Sequence, residues 1–166
     1  MKKKKELAIY FKRLLIIVII LWMTLIFKQS SKIATESYQL STKITERLIT
    51  ILQAIIPDMT IDKLLFEFVF RKLAHFCEFF ILAILFIVFF KNSGLKRRKL
   101  LAFIICGLYA VTDEVHQIFV SGRGAGVADV VIDMLGALAG IGLYHLAFKL
   151  FSRNRVLRGK VETAYK

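Results

Sequence analysis

Four apolar runs, each long enough to cross a lipid bilayer, decide what this chain can fold into. They cover about residues 8–27, 66–90, 100–120 and 130–151. A helix rises 1.5 Å per residue, so about 20 residues cross the roughly 30 Å of hydrocarbon. Within hydrocarbon every backbone polar group must find its partner inside the segment, and a helix does this at each turn. The sequence therefore predicts an all-α protein: a four-span antiparallel transmembrane helix bundle. Residues 1–151 form the transmembrane domain, and 152–166 form a basic tail. With 57% hydrophobic residues, intrinsic disorder is excluded. Two Cys and nine Gly exclude a disulfide-built or collagen-like scaffold. The first run follows a Lys-rich stretch, as a secretory signal would. Residues 26–31 read Ile-Phe-Lys-Gln-Ser-Ser, which lacks a small-x-small cleavage site, so the run reads as an uncleaved anchor.

The charge pattern supplies a direction. The formal net charge is +13, and a pI near 10 often accompanies nucleic-acid binding. Here the positive residues fall in short runs between the spans. Lys2 to Lys5 with Lys12 and Arg13 open the chain. Lys91, Lys96, Arg97, Arg98 and Lys99 follow the second span. Lys149, Arg153, Arg155, Arg158, Lys160 and Lys166 close it. Four alternating spans put all three runs on one side, and the positive-inside rule makes that side cytoplasmic. The partner expected from this pattern is the lipid bilayer, with no nucleic acid. The location expected is a multi-pass protein of the cytoplasmic membrane with both termini cytoplasmic.

Residues 28–62 make the sizeable exterior segment. Leu40, Ile44, Leu48, Ile51 and Ile55 recur at helical spacing and predict an exterior amphipathic helix on the outer leaflet. Pro57-Asp58 ends it, and a new helix is expected to begin near Asp58 to Thr60. The exterior helix is either a connector resting on lipid or a lid over a site at that face. Cys77 and Cys106 fall at different depths of different spans, so no disulfide is expected and both read as packing residues.

Ionisable residues inside spans are costly and point to function. Here they gather at one depth. Arg71, His75 and Glu78 fall at i, i+4 and i+7 on one stripe of span two, with Lys72 beside it. Asp113, His116 and Gln117 share a face of span three, with Glu114 at its margin. Asp129 and Asp133 open span four, and Gly136 and Gly140 continue that face, which can approach a neighbouring helix closely. All these groups lie in the outer half of the membrane, whereas His145 stands apart toward the inner half. Reading inward, span two gives His75 and then Glu78, and span three gives His116 and then Asp113. Antiparallel helices can bring those four together as ligands of a divalent metal, with Zn, Mn or Fe suited to the donors. A self-neutralising ionic network and a substrate-binding site explain the same residues. Ser121-Gly122-Arg123-Gly124-Ala125-Gly126 leads into span four. Its glycines suit a tight turn, and the helix terminus with Arg123, Arg71 and Lys72 nearby suits a phosphate.

The residues then show a resemblance. Arg71-Lys72-Leu73-Ala74-His75-Phe76-Cys77-Glu78-Phe79 resembles the first signature of VanZ-like membrane proteins. Thr112-Asp113-Glu114-Val115-His116-Gln117-Ile118-Phe119 resembles the second. Gly122-Arg123 with Asp129-Val130-Val131-Ile132-Asp133-Met134-Leu135-Gly136 resembles the third. Two positions depart from the pattern: Ser121 stands where the family often has Pro, and Asp133 where it often has Asn. The resemblance implies a bacterial cytoplasmic-membrane protein of the cell envelope, in a family associated with lowered susceptibility to the glycopeptide teicoplanin. It implies no particular reaction. The residues carry three expectations. One is an outer-leaflet site where Arg71, Lys72 and Arg123 bind an anionic envelope lipid or wall precursor. In it Glu78, Asp113, Glu114 and Asp129 orient the bases, and His75 and His116 hydrogen-bond. Another is a membrane-embedded hydrolase or transferase acting on a phosphate-linked envelope lipid, with or without a metal. The third is a structural or partner-binding subunit. A homo-oligomer is compatible with each.

Overall fold

The computed structural model describes residues 2–32, 34–56, 60–124 and 126–164. Five helices follow in chain order: α1 (Lys2–Ser30), α2 (Ala34–Ile55), α3 (Lys63–Asn92), α4 (Arg98–Ile118) and α5 (Val127–Ala164). All regular structure among the described residues is helical. Four of the helices are long and apolar enough to cross a membrane: Glu6–Ser30 within α1, all of α3 and α4, and Val127–Ser152 within α5. The α-helical architecture expected from the sequence is the one found, and α2 is the fifth helix outside the four spans.

The helix ends have local causes. Asp62 caps α3, its carboxylate accepting from the Leu64 and Leu65 amides at 3.0 and 3.1 Å. The helix thus starts later than the Asp58–Thr60 expectation, at a residue whose side chain satisfies two first-turn N–H groups. Residues 57–59, where Pro57 and Asp58 were expected to stop α2, lie outside the described residues, as does Ala125. The other end of α3 closes on Gly94 at φ +75°, with Gly94 N–H donating to Lys91 O and Leu95 N–H to Phe90 O. That pair of bonds is a Schellman ending, and it needs a residue without Cβ at the left-handed position. The basic tail does not leave α5: the helix runs on to Ala164.

α3 is the centre of the bundle and touches each of the other helices. Its Phe79, Leu82, Ala83 and Ile87 are fully buried. Small residues Ala102, Cys106 and Ala110 of α4 face them at helical spacing, with Ala137 and Ile141 of α5 and Ile19 and Ile26 of α1. Small side chains let helices approach where lipid offers no hydrophobic drive for association. The closest approach is between α3 and α5. A Cβ on Gly136 would stand 2.2 Å from the Phe76 carbonyl oxygen, and one on Gly140 would stand 2.4 Å from that of Phe80. The sequence left open whether this glycine face packs within the bundle or between copies; it packs within. Both glycines rise with α3, so these two helices run parallel, as the second and fourth of four alternating spans must. Leu14, Leu21, Leu73, Leu108 and Leu135 face outward, as lipid-facing side chains do.

Midway along α1, hydrogen bonds cross to its neighbours. Trp22 Nε1–H donates to Glu78 O at 3.0 Å, and Tyr109 O–H donates to Met23 O at 2.6 Å. Cys77 and Cys106 are both free thiols, Cys77 exposed and Cys106 in the core.

Candidate functional site

The end of the bundle where α1 and α4 finish and α3 and α5 begin holds a cavity of about 350 Å³. Arg71, Lys72, His75 and Glu78 of α3 line it, with Gln117 of α4, Arg123 of the connecting loop and Asp129 of α5. These seven were all expected from the sequence. The spacing works because α3 turns one stripe toward the cavity over two helical turns. Gln29, Ser30 and Lys32 from the end of α1 also line it, and sequence reasoning missed them. A signal was present: Gln29 and Ser30 end the first apolar run at the depth where α3 carries its charges.

The wall has both signs. Lys32, Arg71, Lys72 and Arg123 are its cations, and Glu78 and Asp129 its carboxylates. Lys72 pairs with Asp129 across α3 and α5. Glu78 Oε1 accepts from Gln29 Nε2 at 2.7 Å. Arg123 reaches toward Gln29 O, at 3.4 Å. Burial pulls the Arg123 guanidinium below its ordinary value; Asp113, Glu114 and Asp129 counter this, and Arg71 adds to it. A guanidinium starts so high that it stays charged at neutral pH. The Arg123 amide donates to Val120 O at 3.1 Å, closing a turn with Gly122 at φ +75°. This left-handed position favours glycine, and it aims the next residue, Arg123, along the cavity.

Four of the expected site residues lie off the cavity, in a layer packed between helices. Asp113 is buried and accepts from Ser30 Oγ at 2.7 Å and from Gln117 Nε2 at 3.1 Å. Glu114 Oε2 accepts the Gly126 amide at 2.8 Å. That carboxylate occupies a free N–H of the α5 entrance, which is where a phosphate had been considered. The ring of His116 lies against Phe27, centroids 4.4 Å apart. Asp133 has no exposure, and its nearest ionisable partner is His75, with Oδ1 3.6 Å from Nδ1.

The two His–carboxylate pairs therefore do not mirror each other. His75 meets Asp133 of α5, and Asp113 meets Ser30 of α1. Among the described residues no group of three or more His, Cys, Asp or Glu side chains takes metal-ligating geometry. The set His75, Glu78, Asp113 and His116 is divided between the cavity wall and the layer beneath it. His145 is exposed, apart from this region.

α2 does not line the cavity. It docks on α3 by a polar face. Ser41 and Thr45 are buried there, and Thr45 Oγ1 lies 3.5 Å from Oε1 of Glu67, itself 1% exposed. Ile44, Ile51 and Ile55 are exposed beside that face. Of the predicted apolar stripe, these three look outward and Leu48 is half-buried; the side chain of Leu40 lies outside the described residues. The buried Glu67 was missed, although its place one turn before Arg71 put it on the marked stripe.

A comparison with protein families matches the VanZ/LLP1 model over residues 15–149. No curated protein and no solved structure matches the chain. The matched stretch runs from within α1 to within α5 and contains every residue of the cavity wall.

Proposed function

The chain belongs to the VanZ/LLP1 family, and from that premise we propose that it binds an anionic envelope lipid or wall precursor at the outer leaflet of a bacterial cytoplasmic membrane. By this binding it lowers susceptibility to glycopeptides such as teicoplanin. The observation that carries the reading is the cavity wall, where Lys32, Arg71, Lys72 and Arg123 converge at one end of the bundle. Arginine forks suit phosphate and carboxylate oxygens, and a membrane wall strengthens each charge-assisted hydrogen bond. The orientation belongs to the proposal, and the three basic runs at the opposite end support it through the positive-inside rule.

The buried layer supports a second role. Asp113 and Glu114 accept from the protein's own donors, as groups that lock a bundle do. In this division the cavity wall binds and the layer beneath it holds the helices.

The test is teicoplanin susceptibility in a susceptible Gram-positive host. Empty vector, wild type and the Arg71→Ala/Arg123→Ala double variant are compared at matched membrane levels. A shift with wild type that the double variant loses is the expected result. Binding of labelled lipid precursor to the purified proteins is measured alongside. Equal binding by wild type and double variant would remove both arginines from the site.

A further inference from the structure

Asp133 is a cluster residue whose chemistry the binding reading leaves unused. It is fully buried, and neither carboxylate oxygen has a hydrogen-bond donor within reach among the described residues. A carboxylate with no donor, away from water, is strongly disfavoured. Its nearest ionisable neighbour is His75, with Nδ1 3.6 Å from Oδ1.

His75 stands between that carboxyl and the cavity. Its Nδ1 is buried and turned to Asp133, while the ring lines the cavity. Nε2 is therefore the nitrogen left to face a bound molecule. An imidazole held from behind by a buried carboxylate, with its other nitrogen on the reacting group, is the arrangement of a general base. Arg71, Lys72, Lys32 and Arg123 surround the space in front of it. Such cations bind phosphoryl oxygens and stabilise the charge that builds on them in transfer.

The wall also narrows the leaving group. Among the described residues His75 is the one imidazole lining the cavity, since the His116 ring lies tilted against Phe27 outside it. No second imidazole stands ready to protonate a departing alkoxide. A departing phosphate needs no proton, because its charge is spread over its oxygens and met by the cations. Phe68 and Ala74 add apolar surface between membrane helices, which suits a chain-bearing substrate.

We propose that the cavity hydrolyses a lipid diphosphate to a lipid monophosphate and inorganic phosphate, with His75 as general base and Asp133 as its positioning residue. In the step, water attacks the terminal phosphorus and His75 Nε2 takes its proton. The bond from that phosphorus to the bridging oxygen breaks, and its electron pair stays on the lipid monophosphate. His75 returns to its starting state by releasing the proton to water. The proposal rests on the cavity being an anionic headgroup site and adds a reaction to it.

Purified full-length protein in lipid nanodiscs tests this, with farnesyl diphosphate as probe and inorganic phosphate as readout. Farnesyl monophosphate binding is measured in parallel. Wild type is expected to release phosphate, and His75→Gln to lose about 100-fold or more of the rate. Asp133→Asn keeps the shape of the side chain but not its charge. It is expected to lose about 10-fold and to move the pH–rate profile, on general-base grounds. Glu78, Asp129, Lys72 and Arg123 remain as the other charged groups around His75, and monophosphate binding by both variants is measured so that a lost reaction is told apart from a lost site. Monophosphate binding by wild type without phosphate release would overturn the hydrolysis and leave the binding reading standing. Absence of both would overturn the two together. Full activity in His75→Gln would overturn the assignment of the base. Equal hydrolysis of inorganic diphosphate would overturn the lipid as the substrate's source.

Discussion

At the scale of residues, two glycines set the spacing of the bundle. A methyl group at 136 meets the Phe76 carbonyl well inside contact distance, and backbone cannot step aside as a flexible side chain can. Gly136→Ala is therefore expected to separate α3 from α5 and cost about 1–3 kcal/mol or more, as overpacking does. Gly142 on the same helix has nothing within 4 Å of a built Cβ. Gly142→Ala is expected to be neutral or slightly stabilising, since alanine loses less backbone freedom in a helix. Thermal unfolding of the two variants in one detergent makes the comparison. A similar loss in both would mean that the glycines matter through helix propensity and not through contact.

At the scale of elements, α1 and α2 are joined to α3 by different means. α1 donates from Trp22 to a carbonyl of α3 and accepts from Tyr109 of α4. Trp22→Phe and Tyr109→Phe each remove one donor and are expected to cost about 0.5–1.5 kcal/mol. Because α1 makes both contacts, the double variant should loosen the whole helix. Protease sensitivity near residue 31 would report that loosening. α2 rests on a buried carboxyl whose Oε2 has no hydrogen-bond partner among the described residues. Replacing both sides, Glu67→Leu with Thr45→Val, is expected to leave α2 docked and stability within about 1 kcal/mol of wild type. Thr45→Val alone takes the Thr45 hydroxyl from Glu67 and is expected to be the worse change. Limited proteolysis across 34–55 separates these outcomes; a double variant cut faster than the single one would contradict the argument.

At the scale of the whole molecule, four alternating spans place the cavity at one end and the α3–α4 connection at the other. The proposed orientation makes a specific prediction. In a background lacking Cys77 and Cys106, Thr60→Cys should react with a membrane-impermeant maleimide in intact cells. Ser93→Cys should react only after the cells are opened. The reverse pattern would put the cavity in the cytoplasm and end the outer-leaflet reading. The same division explains the surface of the protein. Its long apolar faces are exposed because hydrocarbon, and not water, covers them.

Much of this was legible in the residues themselves. Hydropathy and helix rise determine the four spans, because a helix in hydrocarbon is a local solution needing no knowledge of its neighbours. Helical periodicity likewise put Arg71, His75 and Glu78 on one stripe, and that stripe does face the cavity. Pairing was not legible, since it depends on how each helix is rotated against the next. His75 and Glu78 seemed matched to His116 and Asp113 by symmetry of spacing. The Gly136 and Gly140 contacts instead draw α5 against α3, which brings Asp133 to His75. α1 closes on the remaining side and gives Ser30 to Asp113 and Gln29 to Glu78. Which end of the bundle carries the polar groups was determined by the sequence alone. Which groups face open space and which hold helices together was decided only by close packing in three dimensions.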